Sequence, residues 1–181
     1  MYEDHSLQPS EAVKLLALGL LMEGYGNYGE IAQEIRQFTT KIVGPSLDLL
    51  GSSLEILKLE GLADISGDKS VDAAARHITI TDQGKSLFKA LMGSDLRVPL
   101  NDVNRLVLLI KLRFMPYLDQ EMLLDQLDLY RELIQKEMAW GRALSNKNQA
   151  GNQGSKFLQN WLQLEQDSWQ AKLTYIESLC D

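Results

Sequence analysis

TTKIVGPSLDLLGSSLEILKLEGLADIS, residues 39–66, and RHITIT, residues 76–81, decide the fold. Leu47, Leu50, Leu54 and Leu57 recur at spacings of three and four, the mark of a helix with one buried face. Pro45 cannot lie inside that helix, Ser46 suits its N-cap, and Gly61 suits its C-terminal cap. Leu62 to Ile65 then reads as a short strand. Ile78 and Ile80 alternate with Thr79 and Thr81 as the strand that returns. A helix feeding a two-stranded hairpin is the back half of a winged helix-turn-helix, with residues 66–76 as the wing.

Working outward, Val13, Leu16, Ala17, Leu20 and Leu21 predict a first helix, opened by Pro9-Ser10-Glu11 with Ser10 as cap and closed at Gly24 to Asn27. YGEIAQEIRQ, residues 28–37, predicts a second, with Ile31, Ala32 and Ile35 facing inward. Thr81-Asp82-Gln83-Gly84 starts a further helix to about Met92. Residues 1–92 thus form the winged-helix domain, and residues 93–101, with Pro99, form a linker. Residues 102–181 form an α-helical dimerisation domain, in which Asn146 to Ser155, NKNQAGNQGS, reads as a flexible connection. The last helix carries Leu158, Leu162, Trp169, Leu173 and Ile176 on one side and Phe157, Trp161, Leu164 and Tyr175 on another. Apolar residues on two sides call for a partner chain, so a homodimer is expected. The fold class is mainly α.

Composition bounds the function. No apolar run approaches the roughly 18 residues of a membrane span. Leu15 to Met22 follows an acidic segment, unlike a signal peptide. The single cysteine, Cys180, cannot form an internal disulfide, and the chain reads as cytoplasmic. His5 and His77 are far apart and no ligand cluster has metal spacing. Neither a phosphate-binding loop nor a dinucleotide fingerprint occurs, and no nucleophile has a base beside it. No enzyme, cofactor or metal is expected.

The order of these segments resembles the PadR family of winged-helix transcriptional regulators. The carrying residues are YGEIAQEI (28–35), Ser46-Leu47-Asp48-Leu49-Leu50, Leu54 with Leu57 and Glu60-Gly61-Leu62, and Ile78 to Thr81 followed by Asp82-Gln83-Gly84. LDQEMLLDQLDLYRELI and FLQNWLQLEQDSWQAKLTYIESL look like that family's dimerisation helices. The resemblance implies a dimeric regulator on palindromic duplex DNA, with the 46–60 helix in the major groove and half-sites about one helical turn apart. It also implies a response to small aromatic compounds.

The candidate DNA-binding residues are Tyr28, Lys41, Ser46, Asp48, Gly51, Ser52, Glu55, Lys58, Lys69 and Arg76. Ser46 and Ser52 can bond phosphates or bases, Asp48 and Glu55 can accept from cytosine amines, and Lys41, Lys69 and Arg76 can hold phosphates. A merely solvated helix face and hairpin would look the same. Tyr130, Trp140, Trp161 and Trp169 are candidates for an effector site or dimer interface, since indoles stack flat aromatics; core packing is the alternative. Net charge is −7, and residues 1–92 carry eight Lys and Arg against thirteen Asp and Glu. That balance opposes phosphate binding. It motivates a second expectation, a winged-helix module that has lost DNA and binds another protein.

Overall fold

The computed structural model describes residues 7–44, 53–66, 76–150 and 155–180. In order they form α1 (Pro9–Met22), α2 (Tyr28–Val43), α3 (Ser53–Leu59), β1 (Ala63–Ser66), β2 (His77–Ile80), α4 (Asp82–Met92), α5 (Asp102–Phe114), a single 3-10 turn (Met115–Tyr117), α6 (Gln120–Ala150) and α7 (Lys156–Glu177). Packing divides them into two units, residues 1–95 with 101–118, and residues 96–100 with 119–181.

In the first unit α1 is the central element. Ala12, Val13, Leu15, Leu16, Ala17, Leu18 and Leu20 are all buried, so this helix is apolar all round rather than along one stripe. It packs on α2, α3, α4, α5 and β2. Its cap is Gln8, not Ser10: Pro9 takes the first helical position, which lacks a hydrogen to donate anyway, and Gln8 N donates to Glu11 Oε2 at 2.7 Å.

α2 continues past Gln37 to Val43, and within that extension Thr39 is buried with its hydroxyl donating to the Ile35 carbonyl at 2.8 Å. The expected helix start at Ser46 lies outside the described residues, and α3 is described from Ser53. Its end is as expected. Leu62 N donates to Leu57 O and Gly61 N to Lys58 O, with Gly61 at φ +70°, a left-handed cap that glycine adopts without steric cost. β1 and β2 pair antiparallel, Ala63 with Ile80 and Ser66 with His77, and Ile78 points into the core.

α5 lies beyond the expected linker, yet it packs on α1 and α2 and closes the same core. Leu106, Val107, Ile110 and Phe114 are buried, and the Phe114 ring meets Phe88 edge-on, centroids 6.0 Å apart. A side chain at Gly19 would overlap that ring, so glycine lets α5 approach α1.

α5 also buries Lys111 completely, its ammonium donating to the Ser94 carbonyl. Burial pushes this amine down to about 8 from 10.5, with Asp95 opposing. Because the folded value is the lower one, the charge-burial penalty is fully present at neutral pH and is relieved as pH rises through about 8. Roughly 2 kcal/mol of stability should therefore return between pH 8 and pH 10. Urea denaturation across that range should show the rise, and Lys111→Met should flatten it. A flat profile for the unaltered protein would refute the account.

In the second unit α6 and α7 lie antiparallel. Gln166 Nε2 donates to Met138 O at 3.1 Å and Gln159 Nε2 to Ser145 Oγ at 2.8 Å, so partners rise along one helix as they fall along the other. The segment 146–150, expected to be flexible, is helical. Its residues contain no glycine or proline, and Lys, Gln and Ala sustain a helix.

Candidate nucleic-acid interface

Asn27 caps α2 by accepting from Glu30 N at 3.0 Å. The same turn is stitched to the wing's return strand: Tyr28 N donates to Arg76 O at 3.0 Å and Ile78 N to Gly26 O at 2.9 Å. A side chain at Gly26 would overlap the His77 ring. These bonds seat Arg76 and His77 beside the α2 N-terminus, where backbone donors and the helix dipole favour an anion.

Three candidates converge there. Burial raises the Tyr28 phenol, the Glu55 carboxylate raises it further, and Arg76 opposes. Tyr28, Glu55 and Arg76 thus share one local field. The Arg76 Nε is buried and has no hydrogen-bond partner among the described residues. Glu55 and Lys58 are exposed and three residues apart on α3, hence on one face. Glu60 is occupied elsewhere, paired with Lys14 at 2.6 Å. Lys41 is exposed in the last turn of α2, about 20 Å along the helix from Tyr28. Ser46, Asp48, Gly51, Ser52 and Lys69 lie outside the described residues.

The aromatic candidates separate. Tyr130 is 1 % exposed, its phenol raised by burial, and it stands apart from the cavity that two of the tryptophans line. Trp140 and Trp169 line one of about 280 Å³ in the helical unit, with Leu100, Glu137, Gly141, Glu165, Gln166, Ser168 and Lys172. Trp161 is 62 % exposed just outside it, its indole donating to Glu165 Oε1 at 2.9 Å.

Residues 2–180 match the model of a family described as "Putative AphA-like transcriptional regulator". The chain belongs to that family. No curated protein matches the sequence. For an AphA-like regulator, the helical unit with its two-stranded antiparallel sheet is consistent with a winged-helix-like fold. Among the described residues no group of three or more His, Cys, Asp or Glu could hold a metal ion, and no helix is long and apolar enough to cross a membrane.

Sequence reading places His77 in the return strand but not against the turn before α2, where its ring lies over Gly26. It also missed Glu137, Glu165 and Lys172 around the cavity. On a helix, charged residues between apolar stripes look like a solvated face. Only the packing of α6 on α7 brings these three into one lining with two indoles.

Proposed function

We propose that this AphA-like regulator is a homodimer of PadR-like organisation that binds palindromic duplex DNA. The recognition helix ending at Leu59 enters the major groove, and Arg76 with the α2 N-terminus holds a backbone phosphate. The observation that carries this is the Arg76 Nε, buried without a hydrogen-bond partner among the described residues, beside a capped helix N-terminus. A phosphate oxygen supplies the acceptor that Nε lacks, in the favourable field of the α2 dipole.

Dimerisation rests on α7. Phe157 is 89 %, Trp161 62 %, Leu164 65 % and Tyr175 59 % exposed, at near-heptad spacing along one side. A row of this kind is covered by the same row of a second copy. The second copy also supplies the second recognition helix that a palindrome requires. A small effector in the Trp140–Trp169 cavity, on the helices that carry the dimer row, shifts the spacing of the two half-site readers.

The test is selection of genomic fragments by the purified protein at two salt concentrations, followed by titration of the winning site. Arg76→Ala should weaken binding about three- to tenfold on every sequence and lower the magnitude of the salt slope by about one. Unchanged affinity and slope would remove Arg76 from the interface. One observation favours a second reading: the acidic N-terminal balance and Glu55 in the field of Arg76 and Tyr28. If no fragment is retained even at low salt, and a basic protein is captured through Glu55, the winged helix serves a protein partner instead.

A further inference from the structure

The cavity between α6 and α7 has a wall that helix packing does not require. Trp140 and Trp169 supply two indoles, and Glu137 and Glu165 supply two carboxylates. Neither carboxylate is loose. Glu137 Oε1 accepts from Leu100 N at 3.1 Å, and Glu165 Oε1 accepts from the Trp161 indole at 2.9 Å. Gly141 keeps the floor low: a side chain there would overlap the amide of Gln166, which bonds the Met138 carbonyl.

One cation already occupies this wall. The Lys172 ammonium lies 3.8 Å from the centre of the Trp169 ring. An indole face carries negative potential and attracts an ammonium ion, most strongly where water is partly excluded. Two indoles and two carboxylates line the cavity with one lysine among them, so the charge of its side chains is net negative. Lys172 is exposed on a flexible four-carbon stem, so it can swing into solvent and leave the ring to another cation.

We propose that this cavity binds an organic ammonium compound, a protonated or quaternary amine carried on a flat apolar body. The charged nitrogen takes the place of Lys172 over Trp169, within reach of the cavity carboxylates, and the apolar body lies against Trp140. Its volume of about 280 Å³ suits a small ligand of one ring and a short arm. The inference deepens the effector part of the function proposed above and is independent of DNA binding.

Three probes of similar size separate the chemistry: 2-phenylethylamine, 2-phenylethanol and 3-phenylpropionate. Each is titrated into the full chain without DNA, by calorimetry and by tryptophan fluorescence, at pH 7. The amine should bind at least about tenfold more tightly than the alcohol, and the acid should bind no better than the alcohol. Lys172→Ala should tighten the amine by about two- to tenfold, because the resident competitor is gone. The double variant Glu137→Gln, Glu165→Gln should weaken it at least about tenfold. Equal or tighter binding of the alcohol or the acid overturns the proposal, as does an amine affinity unchanged in the double variant or no amine binding at millimolar concentration. DNA retention by the same preparation shows whether such a failure is confined to the cavity.

Discussion

Arg113→Met should lower the stability of the protein by roughly 2–3 kcal/mol, a loss between that of an exposed ion pair and a fully buried one. Arg113 stands in the last turn of α5 and holds two other helices. Its Nε and Nη2 donate to the two oxygens of Glu23 at 2.9 and 2.8 Å, a fork on the residue that caps α1. Its Nη1 donates to Glu34 Oε1 on α2 at 2.7 Å. The guanidinium carbon also lies 5.6 Å from the ring centres of Phe38 and Phe114. The three charged side chains are only 19–29 % exposed, so water screens them weakly. Its hydrogen bonds to Glu23 first, and its bond to Glu34 against the cost of burial, hold the guanidinium well above its usual value. Methionine keeps much of the apolar stem and leaves two partly buried carboxylates without their cation. Arg113→Lys should recover less than half of the loss, because a point charge cannot bridge both partners. Urea denaturation of the three proteins checks this, and a loss under about 1 kcal/mol for Arg113→Met would mean the network behaves as a surface pair.

Arg113 also shows where the sequence stops being legible. The signals that were read correctly are local. Gly61 ends α3 because a left-handed cap needs a glycine within one turn, and Ile78 and Ile80 mark their strand by alternation. The partners of Arg113 stand 79 and 90 residues away, so no window along the chain reveals them. α5 was misplaced for a related reason. Periodicity states which face of a helix is buried, not against what, and Pro99 made residues 93–101 look like the end of a unit. Phe114 fitting over Gly19 decides the matter instead. NKNQAGNQGS was read by polarity, whereas helix continuation depends on glycine and proline, which its first half lacks. In the candidate interface, Tyr28, Glu55 and Arg76 were named for separate reasons. Their convergence follows from bonds that tie the wing to the α2 N-terminus, which no pattern states in advance.

Gly84→Ala should cost roughly 3 kcal/mol, although alanine is the better helix former by about 1 kcal/mol. Gly84 lies in the first turn of α4, where Thr81 binds three elements together. Thr81 Oγ1 accepts from Gly84 N at 3.1 Å and donates to Gly61 O at 2.7 Å, while Thr81 N donates to Leu62 O at 3.1 Å. A methyl group at Gly84 would overlap the Leu62 carbonyl oxygen and crowd Ile80 Cγ1. Leu62 leads from the Gly61 cap into β1, so its carbonyl cannot move without opening the cap or the hairpin. The clash is with backbone that is bonded on both sides, and relief must come from breaking the Thr81 contacts. Gly141→Ala on α6 isolates this cause. It offers the same gain in helix propensity, but its methyl meets only the far end of the flexible Gln166 side chain. Its effect should lie within about 1 kcal/mol of zero, the helix gain set against one displaced amide bond. Denaturation of both variants beside the parent decides between backbone clash and mere loss of glycine. If the two alanines cost the same, the approach of α4 to Leu62 does not hold the hairpin to α3. If Gly84→Ala alone falls, and the DNA affinity proposed to depend on Arg76 falls with it, the hairpin's seat on α4 supports the proposed phosphate contact.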